Sequence, residues 1–486
     1  MQTCFLCGSP VSNICSYCKD CYVCDTHFEL HHQRELRICL PFDVEYDSVK
    51  GRILVASRDI KPEEVVLFDK AAVFGPNLLP VCLGCLEKIK STRGKNGELH
   101  YSVCPKCFFP SCGNKECISE TSVHSKYECS IFAATGFKPK FKDFESPHFI
   151  YNVITILRLI LEMQRNEDNR ILVNQLMTHH DQRVNKFPEV EIGIKRITSF
   201  LMDDLNIPNV NGDDVIQAFG VMKTNAMTFG DGNGRGLYPI GSIISHSCVS
   251  NLEPLTEPME CLVLRSKISI KKGTELTIRY MSFWSHRTQL KDSLNNQWFF
   301  NCECERCQDP SDMKTMLSSE LCSKCKQKSY LKPINPLNLN TDWQCDFCQE
   351  VRTKKQVCDL LAEFPEPESF TSIDEIIFFI KKSEKVFHAH HFIPLNYKYA
   401  FAKWVTLKGL EKIECIKLAL KYYDVILGVT ESLDPGTTKD KNRILLEAAR
   451  LKIKILNHLR SQGKINNEIY ERQHKIIMAA GLRSKN

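Results

Sequence analysis

The spacing of apolar residues changes along this chain, and each change predicts a different element. Ile150, Val153, Ile154, Leu157 and Ile160-Leu161 recur at steps of three and four, the pattern of one helix face. Phe200-Leu201, with Asp203-Asp204 beyond, predicts a shorter helix that stops before Pro208. Ahead of this helical stretch, residues 53–55 and 65–68 read as short strands of a hairpin, turned at Lys61-Pro62-Glu63-Glu64. Behind it, the glycine-rich run 230–236 reads as a hairpin turn, because no Lys-Ser/Thr follows to make it a phosphate loop. Strands are then predicted over 261–264, 267–270 and 275–280, the last two parted by Lys271-Lys272-Gly273. Ser372-Ile373-Asp374-Glu375 has capping-box spacing and opens a helix expected to run through Phe387. Residues 410–427 and 444–459 are also helical in period, separated by Asp434-Pro435-Gly436, with Trp404 and Tyr422-Tyr423 assigned to the core between helices. Strands interrupted by helices, followed by an all-helical tail, describe an α+β chain of several domains.

A length of 486 residues agrees, being too great for one core. With 43% hydrophobic and 25% charged residues the composition is that of a globular chain. A net charge of +6 permits contact with acidic partners without arguing for nucleic acid. The longest apolar segment, 149–163, is broken by Asn152, Thr155, Arg158 and Glu162 and is no membrane span. The start Met1-Gln2-Thr3-Cys4 lacks the basic and apolar regions of a signal peptide.

The 25 cysteines change the picture most. An odd number in a long chain points to zinc-bound thiolates in a reducing compartment, so the cytoplasm and nucleus are the expected locations. Cys82, Cys85, Cys104, Cys107, Cys112, Cys117, His124 and Cys129 supply eight ligands, enough for two zinc ions. Cys302, Cys304 and Cys307 with the distant Cys248 make another tetrahedral set. Cys322-x2-Cys325 and Cys345-x2-Cys348 have zinc-ribbon spacing. The first 40 residues hold Cys4, Cys7, Cys15, Cys18, Cys21, Cys24, His27, His31, His32 and Cys39. A segment that short needs metal for most of its folding energy.

The Ser245-His246-Ser247-Cys248-Val249-Ser250-Asn251 loop, followed by Tyr280 and the Cys302–Cys307 cluster, resembles the SET domain of protein lysine methyltransferases. The cysteines between 82 and 129 resemble a MYND finger lying inside a split SET domain, which is the arrangement of the SET and MYND (SMYD) family. An extra finger ahead of it is similar to an arthropod branch of that family. The resemblance implies a SET-domain β-fold split by a MYND zinc finger and a helical insert, a cysteine-rich post-SET region and a tetratricopeptide-like C-terminal domain. It divides the chain into an N-terminal MYND-like finger (1–40), first SET part (41–80), MYND finger (81–130), helical insert (145–220), SET core (221–285), post-SET and zinc-ribbon region (286–350) and C-terminal helices (358–486). In interleaved order Cys82, Cys85, Cys112 and Cys117 would share one zinc, and Cys104, Cys107, His124 and Cys129 the other. For the N-terminal finger, Cys4, Cys7, Cys15, Cys18, Cys24, His27, His31 and Cys39 form one ligand set. Glu35 stands where the family has His, which leaves a second set and a B-box finger as alternatives.

The activity so implied is S-adenosylmethionine-dependent N-methylation of lysine in histone or other proteins. Tyr280 would stand at the end of the lysine channel as the catalytic residue, with Trp298 as a channel wall. Gly51, Arg52, Asn225, Ser245, His246 and Phe300 would hold the cofactor, and Asn251 would hold the threaded loop. The chain departs from the family at Ser245, where Asn is usual, at Ser250, usually Pro, and at Ile53, often Gly. Loss of one amide contact at Ser245 weakens cofactor binding by on the order of 1 kcal/mol. The expected partners are a lysine-bearing protein substrate and proline-rich peptides on the MYND fingers, for a monomer without membrane or nucleic-acid contacts. Two competing readings are a SET/MYND adaptor without activity, acting in transcriptional repression, and a ubiquitin ligase with a RING- or B-box-like N-terminus. His179-His180 is read as a surface pair, and Cys261 as packing in a strand.

Overall fold

The computed structural model describes residues 38–229, 232–255, 261–325, 329–408 and 412–482, with residue 11 and the pair 32–33. The N-terminal candidates Cys4, Cys7, Cys15, Cys18, Cys24, His27 and His31 lie outside the described residues, as do Gly230, Asp231 and Leu410. Ile38–Cys39 pairs with His32–Gln33.

The long helix Phe149–Arg165 organises the first core. Its apolar steps bury Ile150, Val153, Ile154 and Leu157. Polar Thr155 and Arg158 are buried on it too. Thr155 Oγ1 donates to Pro76 O at 2.7 Å, fixing the helix to strand Val73–Pro76. Arg158, fully buried, spans from Phe74 O to the Glu128 carboxylate of the finger. Helix Gly212–Asn225 packs across it, started by an Asn211/Asp214 capping box.

The β part consists of small sheets around a second core. Val65–Lys70, Cys261–Ser266 and Leu252–Leu255 form one, with Cys261–Ser266 central. Gly51–Ala56 pairs instead with Phe42–Asp47. The expected hairpin between 53–55 and 65–68 is therefore corrected: both strands exist, but in different sheets. Period-2 patterning fixes which face a residue takes and is silent about the partner. The glycine-rich run joins Met227–Phe229 to Gly234–Leu237 as an antiparallel pair, as its composition predicts.

A second correction concerns 267–270. These residues form no strand, only an isolated bridge from Ile270 to Ile60. Lys267 is buried with its ammonium in an ion pair, and its N–H goes to Asn251 O, so the chain leaves the ladder there. The next strand is likewise short, Thr277–Ile278, and runs parallel to Ser245–His246.

Beyond the ribbon strands Glu320–Leu321, Tyr330–Pro333, Trp343–Cys345 and Val351–Arg352, the chain is helical. The Ser372/Glu375 capping box forms as expected, but its helix ends at Ser383, not at Phe387. Phe387 is fully buried and stacks on His391, and that packing draws it out of the helix. Helices Phe392–Lys408, Ile413–Leu433, Lys439–Ser461 and Asn467–Leu482 pack in sequence, each on its neighbour. Tyr423 is buried among them, with Trp404 and Tyr422 at the margin of that core. Among the described residues no helix is long and apolar enough to cross a membrane.

Candidate active site

Parallel pairing of Ser245–His246 with Thr277–Ile278 sets the site, because it brings the loop after His246 beside Tyr280. Asn251 locks the crossing. Its Nδ2 donates to Glu275 O at 2.8 Å and its Oδ1 accepts from Thr277 N at 2.9 Å. Tyr280 then makes two contacts to the same loop: its N–H donates to His246 Nδ1 at 3.0 Å and its hydroxyl to Ile244 O at 2.5 Å. Burial raises the phenol's pKa well above its ordinary value, so it serves as a neutral donor at physiological pH.

The aromatic residues predicted for the site close around this tyrosine. Ring centroids of Tyr280 lie 5.1 Å from Trp298, 5.2 Å from His246 and 6.4 Å from Phe300, the last edge to face. His246 and Phe300 are 6.0 Å apart. Helix Arg287–Gln297 delivers this wall, and Trp298 Nε1 donates to Thr224 O at 2.9 Å to anchor it. Phe299 has φ 59°, a sparsely populated conformation for a bulky residue, and its ring meets His179 and the Arg183 guanidinium. His179 is therefore not a free surface residue: it is half-buried against the wall, with Nδ1 at 2.5 Å from Gln182 Oε1.

Next to the aromatic group, Cys248 Sγ stands 3.6 Å from Cys307 and 3.9 Å from Cys302. The four sulfurs of Cys248, Cys302, Cys304 and Cys307 lie within 4.8 Å of one another. Thiolates about 2.3 Å from a tetrahedral zinc stand about 3.8 Å apart, so this set fits zinc. The same test is met by Cys82/Cys85/Cys112/Cys117, by Cys104/Cys107/His124/Cys129 and by Cys322/Cys325/Cys345/Cys348. His124 is oriented for ligation: its Nδ1 is 2.9 Å from Glu128 Oε1, which directs Nε2 toward Cys107 Sγ at 3.3 Å. Arg158 clamps the same carboxylate at 2.6 and 2.9 Å. Burial alone would raise the Glu128 pKa, but Arg158 and His124 hold it below its ordinary value.

Cations lie beside the aromatic wall and beside Gln175. Arg52 donates to the side chain and carbonyl of Gln175, and Asn225 Nδ2 to Met177 O and Val221 O. Arg183 donates to Thr224 Oγ1 and Gln297 O, while its Nε is buried without a partner. Burial, then the neighbouring Arg235 and Arg183, push the Lys223 ammonium down to about 8. Among the described residues none of Arg52, Arg183 and Lys223 has a carboxylate within ion-pair distance. An amino-acid carboxylate such as that of S-adenosylmethionine fits this unpaired guanidinium group. Gly51 opens its strand at φ 76° with open space where a Cβ would be. Ser245 is half-buried in its short strand.

A family model for the SET domain matches residues 51–281. Within that span lie the two interleaved cysteine and histidine sets of a MYND finger. These features and the relatives below support membership of the SET and MYND domain family. Among SMYD and other SET relatives it is 26% identical to the SET domain-containing protein SmydA-8, isoform A, of Drosophila melanogaster, over 66% of this chain and 68% of that protein. It is also 26% identical to the histone-lysine N-methyltransferase ASHR1 of Arabidopsis thaliana, over 80% and 82% respectively. Rubisco LSMT bound to AdoMet, a solved structure, is similar over 93% of this chain and 91% of that one, at 16% identity and TM-score 0.33.

Arg183, Lys223 and the His179–Phe299 contact are absent from the sequence-based reading of this SMYD site. Arg183 and His179 come from the helical insert, Lys223 and Phe299 from segments on either side of the Tyr280 motif, and no motif spacing links them to Tyr280. The one available signal was Arg183 in a helix without a carboxylate three or four residues away to pair with.

Proposed function

We propose that the chain is an S-adenosylmethionine-dependent protein-lysine N-methyltransferase, with Tyr280 as its catalytic residue and histones or other lysine-bearing proteins as substrates. The observation that carries this reading is the Tyr280 hydroxyl held on Ile244 O inside the His246, Trp298 and Phe300 enclosure. S-adenosylmethionine supplies an electrophilic methyl group on its sulfonium. The chain's own residues supply position and dryness. Trp298 and Tyr280 pack on each other at 5.1 Å between ring centroids and together would form an aromatic wall for the lysine side chain. The phenol's one proton goes to the Ile244 carbonyl, which fixes the hydroxyl and leaves its oxygen to accept from the incoming amine. The amine arrives neutral, having lost its proton to water, since the buried phenol is no base at neutral pH. Arg52, Asn225, Arg183 and Lys223 hold the cofactor's amino-acid end, with His246 and Phe300 on its ring system. Ser245 and Gly51 would line the same site.

Val103 and Phe108, exposed on the MYND finger, suit a proline-rich peptide as a second kind of partner. The methyl-transfer site would draw on residues 41–80 and 221–300 and on Arg183 of the helical insert, and cytoplasm and nucleus are the locations proposed. Isothermal titration of the zinc-replete chain with S-adenosylmethionine tests the reading. Saturable one-to-one binding is expected, and no binding would defeat it.

A further inference from the structure

The turn Asp434-Pro435-Gly436, between helices Ile413–Leu433 and Lys439–Ser461, does more than connect them. Asp434 Oδ1 is 2.6 Å from Lys267 Nζ and 2.7 Å from Arg279 NH1. The Lys267 and Asp434 side chains are both 0% exposed. Arg279 immediately precedes Tyr280. Lys267 Nζ also donates to Ser250 Oγ at 2.9 Å, and Lys267 N to Asn251 O at 2.9 Å. One carboxylate from the C-terminal helices therefore holds both limbs of the threaded site: the 245–251 loop through Lys267 and the Tyr280 strand through Arg279.

The surrounding contacts keep the carboxylate in place. A Cβ at Gly436, where φ is +83°, would stand 2.0 Å from Lys267 O, so the turn seats directly on the SET backbone. Lys439 N donates to Glu253 Oε1 at 3.0 Å, and Thr437 Oγ1 to Glu63 Oε1 at 2.7 Å. Arg279 is further held by Asp440 at 3.7 Å and lies over the Phe283 ring. Buried pairs of this kind contribute little net stability, because desolvation offsets attraction, and their attested use is in fixing register.

We propose that Asp434 is a positioning residue for methyl transfer, reaching from the C-terminal helical domain to set Tyr280 through Arg279 and the Ser245–Asn251 loop through Lys267. This rests on the proposed activity for its chemistry but not for its geometry. The carboxylate touches neither substrate nor cofactor. It acts by holding the Tyr280 hydroxyl where misplacement by about 1 Å costs roughly a hundredfold in rate.

The test uses the full-length, zinc-replete chain with Asp434→Asn, Arg279→Gln and the double variant Asp434→Asn/Lys267→Met. Four quantities are measured: thermal midpoint, S-adenosylmethionine affinity by calorimetry, methyl transfer from labelled S-adenosylmethionine to core histones, and amide hydrogen exchange of the peptide containing Tyr280. The single variants are expected to keep cofactor affinity, lose roughly ten- to a hundredfold in kcat, and exchange the Tyr280 amide faster. The double variant removes the uncompensated buried charge, so its thermal midpoint should recover while kcat stays low. Recovery of kcat along with the midpoint would overturn the proposal, as would a normal kcat in well-folded Asp434→Asn or Arg279→Gln. A wild-type chain that transfers no methyl, yet shows the exchange change in Asp434→Asn, would count against the activity and in favour of the clamp.

Discussion

The backbone N–H of Tyr280 donates to Nδ1 of His246, and through that bond the Ser245–Asn251 loop and the segment after Ile278 share one site. The same imidazole places Nε2 at 3.3 Å from Cys248 Sγ, next to the four-cysteine set. Metal site and reaction site are thus one hydrogen-bonded unit. Loosening the first should be felt at the second.

Tyr280→Phe removes the hydroxyl and leaves the ring packing intact. The expected result is a fall in kcat of roughly a hundredfold with little change in cofactor Kd. Steady-state kinetics beside calorimetry would separate the two.

The pH profile follows from the raised phenol pKa. The acceptor lysine must be neutral, so kcat/KM should climb from pH 7 toward the ordinary lysine value of about 10.4. Because burial shifts Tyr280 upward, no descending limb from phenolate should appear over that range. At saturating S-adenosylmethionine, where loss of the Lys223 charge near pH 8 does not limit the rate, a bell-shaped profile falling above pH 8 would contradict this assignment.

Ser245→Asn should tighten S-adenosylmethionine binding by about fivefold, the equivalent of roughly 1 kcal/mol for one regained hydrogen bond. Calorimetry on the wild-type and variant chains reads this directly.

Metal analysis should return at least four zinc ions per chain, one for each set of ligands among the described residues. Cys248→Ala should lose one ion and, with it, cofactor affinity. The finger should be less sensitive to that change, since its second set is secured by Glu128 and Arg158 far from Cys248 in sequence.

Glu128→Gln breaks a fully buried ion pair and should cost about 3–5 kcal/mol of stability. Glu128, Asp312 and Asp434 are all buried carboxylates for which burial raises the pKa, yet neighbouring cations hold it below the ordinary value. A depressed folded pKa means the stabilisation is complete above the unfolded carboxylate range of about 4 and is lost as pH falls through the folded values. Thermal midpoints should therefore stay level with respect to these groups near neutrality and drop below about pH 4.

Much of the site could be read before any coordinates. Cysteines two apart restrict their own ligand geometry, so Cys302, Cys304 and Cys307 announced a metal and Cys248 completed it. The aromatic-x-Cys-x-Cys context singled out Phe300 and Trp298, and both meet Tyr280. What escaped depends on partners distant in sequence. Residues 53–55 and 65–68 look alike in pattern but pair with different strands. Lys267 looks like a surface lysine in an exposed strand until Asp434 arrives from 167 residues away. Arg183 and His179 sit in a polar stretch that is covered by partners distant in sequence, Phe299 for both and Thr224 and Gln297 for Arg183.

The account's central claim is that Tyr280 stands in a working lysine-methylation site. The direct measurement incubates the zinc-replete chain, wild-type and Tyr280→Phe, with tritiated S-adenosylmethionine and core histones or a total protein extract, and then maps the labelled residue. The account predicts methyl-lysine formed by the wild type and lost in Tyr280→Phe. No label on lysine in any substrate, or equal labelling by both chains, would contradict it.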